Sequence, residues 1–104
     1  MGTNCRIYYN IDFAYLVFNI NNVARTHSEE IKDLLYLPEN IKFINKYGFW
    51  FHGVVLSSSW RPTNNMFYLS IDDNSVCTIR LNNDVTDGNI VGMVYIPRQW
   101  LIIS

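Results

Sequence analysis

The chain has 104 residues, of which 49% are hydrophobic and 16% charged, and its formal net charge is −1 at pH 7. This length and apolar content predict a single domain, residues 1–104, that buries its own core. The eight basic residues are scattered along the chain, whereas nucleic-acid-binding proteins gather Lys and Arg on one face. We therefore expect no nucleic-acid partner.

The sequence predicts a cytoplasmic protein with no membrane segment. No apolar run approaches the roughly 18 residues that a membrane span needs, and the first residues lack the apolar stretch of a signal peptide. Within the chain, Cys5 and Cys77 could pair only with each other. Because no secretory signal precedes them, we expect two free thiols and no disulfide.

Residues 6–20 alternate at first between apolar and polar side chains, and both alternating sets become apolar after Asp12. This pattern predicts a half-exposed strand, a turn at residues 10–12, and then a strand buried on both faces. A buried helix over residues 13–24 is the competing interpretation.

Helical signals follow. Thr26-His27-Ser28-Glu29 matches the capping box that begins many helices. Pro38 suits the first position of a second helix, and Gly48 suits its end. The apolar residues at helical spacing are Ile31, Leu34, Leu35, Ile41, Ile44 and Tyr47. We predict two short helices, or one broken at residues 37–38, within residues 28–47.

Strands are predicted after Gly48. Residues 49–57 are largely apolar on both faces, which favours a central strand. Residues 90–96 predict another strand that ends at Pro97, and residues 99–104 a last strand or a docked tail. The predicted fold class is α+β, with a mostly antiparallel sheet of about five or six strands packed on one or two short helices.

The hairpin over residues 66–81 allows a sharper prediction. Pairing Ile71 with Cys77 and Leu69 with Ile79 places the apolar side chains on one face. This register requires a loop of three or five residues, whereas a loop of four would set apolar residues against polar ones. We expect a left-handed backbone at Asn74 or Ser75.

Catalytic and metal-binding signatures are weak. His27 is expected on the surface near the capping box and His52 within the core, and neither has the spacing of a catalytic or zinc site. Residues 84–89, DVTDGN, lack the alternating ligands and closing Glu of a calcium loop, so a turn is expected. We therefore predict no enzyme activity, no metal and no cofactor.

Trp60 and Arg61 follow three serines and precede Pro62, which predicts a loop. Trp, Tyr and Arg are the residues in which the binding energy of protein interfaces concentrates. The alternative is that Trp60 folds back onto the core. The candidate partner-binding residues are Trp60, Arg61, Tyr68, Arg80, Asp72 and Asp73.

Residues 29–51, EEIKDLLYLPENIKFINKYGFWF, resemble the entry segment of the SUKH superfamily. The residues that carry the resemblance are Glu29, Glu30, Ile31, Leu37, Pro38, Glu39, Phe43, Ile44, Tyr47 and Gly48. The resemblance covers about a fifth of the chain. Many SUKH proteins are immunity proteins that neutralise bacterial toxins, and the resemblance implies a similar role, with helices before the strands.

These observations favour a protein that acts by binding another protein, as a toxin-neutralising immunity protein. A phage-encoded inhibitor of a host or defence protein is a close alternative. A self-assembling structural subunit is a second alternative, because an available edge strand favours strand addition. A small metal-independent nuclease is the third alternative. Either a monomer or a homodimer is compatible with the sequence.

Overall fold

The computed structural model describes residues 3–46 and 48–104, whose regular secondary structure is almost entirely β-strand. The strands are β1 (Thr3–Tyr9), β2 (Phe13–Arg25), β3 (Ile41–Phe43), β4 (Phe49–Ser57), β5 (Pro62–Ile71), β6 (Cys77–Leu81), β7 (Val85–Pro97) and β8 (Leu101–Ile103). A short 3-10 helix, Arg98–Trp100, precedes β8.

Six strands form one antiparallel sheet in the order β1-β2-β7-β4-β5-β6, which curls into a half-barrel. β7 pairs with β2 along most of its length, but with β4 only through Leu56–Asn89 and Ser57–Gly88. The sheet therefore has two three-stranded halves, β1-β2-β7 and β4-β5-β6, joined at one corner. β3 and β8 form a separate two-stranded ladder.

The core lies on the inner side of the curled sheet, where aromatic rings from both halves meet. Phe18 of β2 and Phe67 of β5 contact edge to face, with centroids 6.1 Å apart. Each lies opposite a glycine, Phe18 opposite Gly92 and Phe67 opposite Gly53. A Cβ at Gly92 would lie 2.5 Å from Phe18 Cζ, so this glycine makes room for the ring to cover the neighbouring backbone.

The predicted helices within residues 28–47 are wrong, and with them the α+β class. The described part of this segment has no α-helix, and its regular structure is the short strand β3. Ile31 pairs instead with Ile79 of β6, through N–H···O bonds of 2.9 and 2.8 Å in opposite directions. Most of the apolar side chains that suggested helical faces are buried without a helix, as at Leu34 and Leu35, whereas Ile44 is 46% exposed.

The capping box has a different role from the one predicted. Thr26 Oγ1 donates to the Glu29 carboxylate at 2.9 Å, and Glu29 N–H donates to the Thr26 carbonyl at 3.3 Å. These bonds close a turn, and the chain leaves it extended. A short isolated helix is marginal in water, whereas the open edge of β6 offers backbone partners to an extended segment. Tyr47 lies outside the described residues.

The expectation that β2 is buried on both faces is wrong too, and so is the alternative helix. Ala14, Leu16 and Phe18 are buried, whereas Phe13 and Tyr15 on the other face are at least partly exposed. The same division holds along β4, which is central as predicted but exposes its outer face. Apolar residues occupy both faces of these strands, yet only the inner face is covered.

The predicted register of the β5–β6 hairpin is confirmed. Ile71 lies opposite Cys77, Leu69 opposite Ile79, and the connecting loop has the odd length that this pairing requires. The left-handed residue is Ser75, with φ 65°. Local turn chemistry and apolar alternation agree here, which is why this part of the fold could be predicted.

Candidate protein-binding surface

The outer face of the β4–β5 hairpin carries exposed aromatic side chains. His52 of β4 lies opposite Tyr68 of β5, which lies opposite Arg80 of β6, so the three form a row across the sheet. Trp50, two residues before His52 on the same face, is 72% exposed. His52 is therefore a surface residue, and the expectation that it belongs to the core is wrong.

Trp50 borders a groove that gathers several of the predicted site residues. The groove has a volume of about 270 Å³ and is lined by Lys46, Gly48, Trp50, Ser70, Ile71, Asp72, Asp73 and Arg80. Gly48 has φ 77°, and a Cβ there would lie 3.3 Å from Trp50 Cη2. The indole therefore packs over the Gly48 backbone, while most of its surface faces solvent.

Arg80 is held in place by an ion pair with Glu30 from the segment that covers the β6 edge. The hydrogen bond from Arg80 lowers the pKa of the Glu30 carboxyl, and Lys32 contributes less. Both side chains are about half exposed. The groove wall thus presents a guanidinium whose position is restrained but which remains accessible.

The acidic residues of the groove belong to the β5–β6 turn. The Asp72 carboxylate accepts hydrogen bonds from the N–H groups of Asn74 and Val76, both at 2.9 Å. Asp72 therefore stabilises its own turn, as Asp does in Asx turns. Asp73, the next residue, is exposed beside it.

The β4–β5 turn places Trp60 in an unusual backbone conformation. Its φ is 63°, in the left-handed region that costs a non-glycine residue roughly 1–2 kcal/mol. The turn is closed by hydrogen bonds from Trp60 N–H to the Ser57 carbonyl at 2.9 Å and from Ser57 N–H to the Arg61 carbonyl at 2.8 Å. Trp60 is 51% exposed and stands outside the buried core cluster.

The structure divides the predicted site residues between the two ends of this hairpin. Asp72 and Asp73 lie in the turn at one end, and Trp60 and Arg61 lie at the other, separated by the ten residues of β5, or roughly 30 Å. Tyr68 and Arg80 lie opposite each other within the strands, nearer to the Asp72 end. Sequence reasoning missed Trp50. No local signal marked it as exposed, because Phe49 and Phe51 beside it make both faces of β4 apolar.

A second group of exposed aromatic residues lies on the outer face of the other half. Tyr15 of β2 contacts Phe13 and Tyr95 of β7 edge to face, with centroids 5.5 and 5.8 Å apart. Tyr8 of β1 lies opposite Tyr15 and is 54% exposed. None of these residues was among the predicted site residues.

Other chemically active groups have structural partners. His27 Nδ1 lies 2.7 Å from Asp84 Oδ1, which also accepts the His27 N–H at 2.9 Å. That backbone bond is the main reason for the lowered pKa of Asp84.

Burial raises the pKa of Cys5 to about 11 and that of Cys77 to about 12, so neither thiol ionises near neutral pH. Among residues 3–46 and 48–104, no His, Cys, Asp or Glu cluster could hold a metal ion.

No helix within the described ranges is long and apolar enough to cross a membrane. No protein-family model, curated protein or solved structure matches this chain. The surface must therefore be interpreted from its own residues.

Proposed function

We propose that this protein acts by binding another protein through the outer face of the β4–β5 hairpin and the turn that joins its strands, here together called the hairpin face: Trp50, His52, Val54 and Tyr68 of the strands, with Trp60 of the turn. The observation that carries the proposal is that both tryptophans of the hairpin expose half or more of their surface. Trp is the residue most enriched at the energetic centres of protein interfaces, and two exposed indoles on one hairpin are costly unless a partner covers them.

The polar residues around the hairpin face suit a protein partner better than a small molecule. Arg80, Asp72 and Asp73 border Trp50 with both signs of charge, and such charged rims give a protein interface its orientation and specificity. The groove is shallow and open, unlike the enclosed apolar clefts that bind small ligands.

The backbone at Trp60 supports the same proposal. A strained residue that is exposed gains nothing from the strain in the free protein, and strain of this kind concentrates at functional positions. The turn would be satisfied by Gly or Asn, so an exposed indole at this position supports a contact with a partner.

The biological role that we propose is a cytoplasmic immunity protein that neutralises a toxin by covering it, without catalysis. A phage-encoded inhibitor of a host or defence protein would use the same surface in the same way. The proposal rests on the hairpin face and not on the SUKH resemblance, because the described part of the segment that carries the resemblance has no α-helix.

The test is affinity capture from the producing cell with tagged wild-type protein and with Trp50→Ala, followed by mass spectrometry. We expect a stoichiometric protein partner with the wild type and its loss with Trp50→Ala, at an unchanged melting temperature. Tyr36→Ala is the matched control, because Tyr36 is 62% exposed and lies outside the hairpin face. Equal capture by all three proteins would contradict the proposed surface.

A further inference from the structure

The two edges of the six-stranded sheet differ in how they are covered. Along β6, Ile31 exchanges two backbone hydrogen bonds with Ile79, and Glu30 pairs with Arg80 beside them. Along β1, the only strand partner within residues 3–46 and 48–104 is β2. The outer edge of β1 therefore leaves a row of backbone N–H and C=O groups without a strand partner.

β1 has only one of the usual protections of a sheet edge, a charged side chain. Natural proteins protect exposed edges with short strands, bulges, proline or lysine. β1 has seven residues with neither Pro nor Lys, and its register with β2 runs without a shift from Thr3–Ile20 to Tyr9–Ala14. Its single charged residue is Arg6.

We propose that a second copy of this chain pairs with β1, antiparallel and about a two-fold axis at Ile7, so that two sheets become one. In this register Arg6 lies opposite Tyr8 of the second copy, on the outer face. A guanidinium over a tyrosine ring is a favourable cation–π pair. An axis at Arg6 would instead set two guanidinium groups against each other, which is unfavourable.

A second copy fits this edge because a two-fold interface requires each surface to complement itself. The Ile7-centred register meets that requirement, since each copy supplies one cation and one exposed tyrosine to the other. The proposal does not depend on partner binding at the hairpin face. β1 and the β4–β5 hairpin belong to different halves of the sheet, so the dimer leaves that face free.

The contact area sets the expected affinity. The side chains that this pairing would cover are the exposed parts of Arg6, Tyr8 and Tyr9, on the order of 300 Å² per chain. A standard interface takes about 800 Å² from each partner. We therefore expect a weak, reversible dimer that forms at high protein concentration, not a permanent one.

Sedimentation equilibrium over a concentration series tests the proposal. The wild type should shift from the 12.2 kDa monomer towards twice that mass. Tyr8→Lys places a cation opposite Arg6 of the second copy and should weaken the dimer by about tenfold or more. Tyr36→Lys, at an exposed tyrosine outside β1, should leave it unchanged. The double variant Arg6→Glu/Tyr8→Lys restores opposite charges and should recover the dimer.

Cross-linking gives a readout that does not depend on the lysine variants folding well. Ile7→Cys in a Cys5→Ser background should form a covalent dimer with a short bis-maleimide, because the axis brings the two positions together. A wild type that stays monomeric throughout the series would overturn the proposal. So would a dimer that neither Tyr8→Lys weakens nor Ile7→Cys cross-links.

Discussion

The two turns of the β4-β5-β6 half have the same backbone design but different side chains at the same position. In each, an acceptor side chain at the first residue binds two N–H groups of its own turn, and the fourth residue is left-handed. The first residues are Ser57 and Asp72, and the left-handed residues are Trp60 and Ser75. This is the three-residue hairpin loop in which a left-handed residue follows a type I turn.

The side chains at the left-handed position serve different purposes. Ser75 Oγ accepts the N–H of Phe43 at 2.8 Å and donates to its carbonyl at 3.4 Å, so it ties the turn to β3. Trp60 stands outside the buried core cluster and is half exposed. Ser75 therefore serves the fold, whereas Trp60 makes no such tie to the core and is available for the partner contact that we propose.

The largest expected effect comes from removing the indole while keeping the turn. Trp60→Asn retains a residue that tolerates the left-handed backbone, and it should weaken partner binding by about 2 kcal/mol or more, roughly 30-fold. Calorimetric titration against the captured partner measures this. Ser75→Asn is the matched control and should leave affinity unchanged; equal losses at the two turns would break the comparison.

The reverse experiment concerns stability. Ser75→Asn should lower the free energy of unfolding by about 1–2 kcal/mol, because the N–H and carbonyl of Phe43 lose their hydroxyl partner. Urea denaturation followed by circular dichroism measures the shift in midpoint. If Ser75→Asn were neutral, the tie between this turn and β3 would contribute nothing, and the structural role assigned to Ser75 would be wrong.

A pair of variants at Trp60 isolates the backbone strain. Trp60→Gly should be more stable than Trp60→Ala by about 1 kcal/mol, because only Gly adopts the left-handed region without cost. Both variants lose the indole, so the difference in their denaturation midpoints reports the backbone alone. At Ser58, an exposed residue of the same turn without a positive φ, the advantage of Gly should vanish; finding it there as well would remove the evidence for strain at Trp60.

The smallest effect concerns the first residue of each turn. Ser57 Oγ accepts the N–H groups of Ser59 and Arg61 at 3.3 Å, whereas the Asp72 carboxylate accepts its two at 2.9 Å. Because an ionised acceptor makes shorter and stronger bonds, Ser57→Asp should stabilise the protein by about 0.5 kcal/mol. Thermal unfolding at neutral pH measures it, and a lower melting temperature would show that the turns are not equivalent.

The proposed partner-binding surface could be predicted only in part. Trp60 was placed correctly in a loop, because three serines and a proline surround it. Its separation from Asp72 and Asp73 by the full length of β5 depends on the direction of a strand, which no local pattern reports. Trp50 was missed for a related reason, since apolar residues on both faces of β4 suggested burial on both.

The sequence by itself determined the local features: the odd loop and register of the β5–β6 hairpin, the left-handed residue in that loop, the turn at residues 10–12 and the strands after Gly48. Each depends on residues close together along the chain, where turn chemistry and alternation act directly. Only the tertiary structure decided that residues 28–46 contain no α-helix and that the outer faces of β2 and β4 stay uncovered. Both outcomes depend on contacts between residues that are far apart along the chain. The free edge of β6 satisfies the backbone of Ile31 better than a short helix would. The outer faces stay exposed because nothing in the described chain packs against the convex side of the sheet.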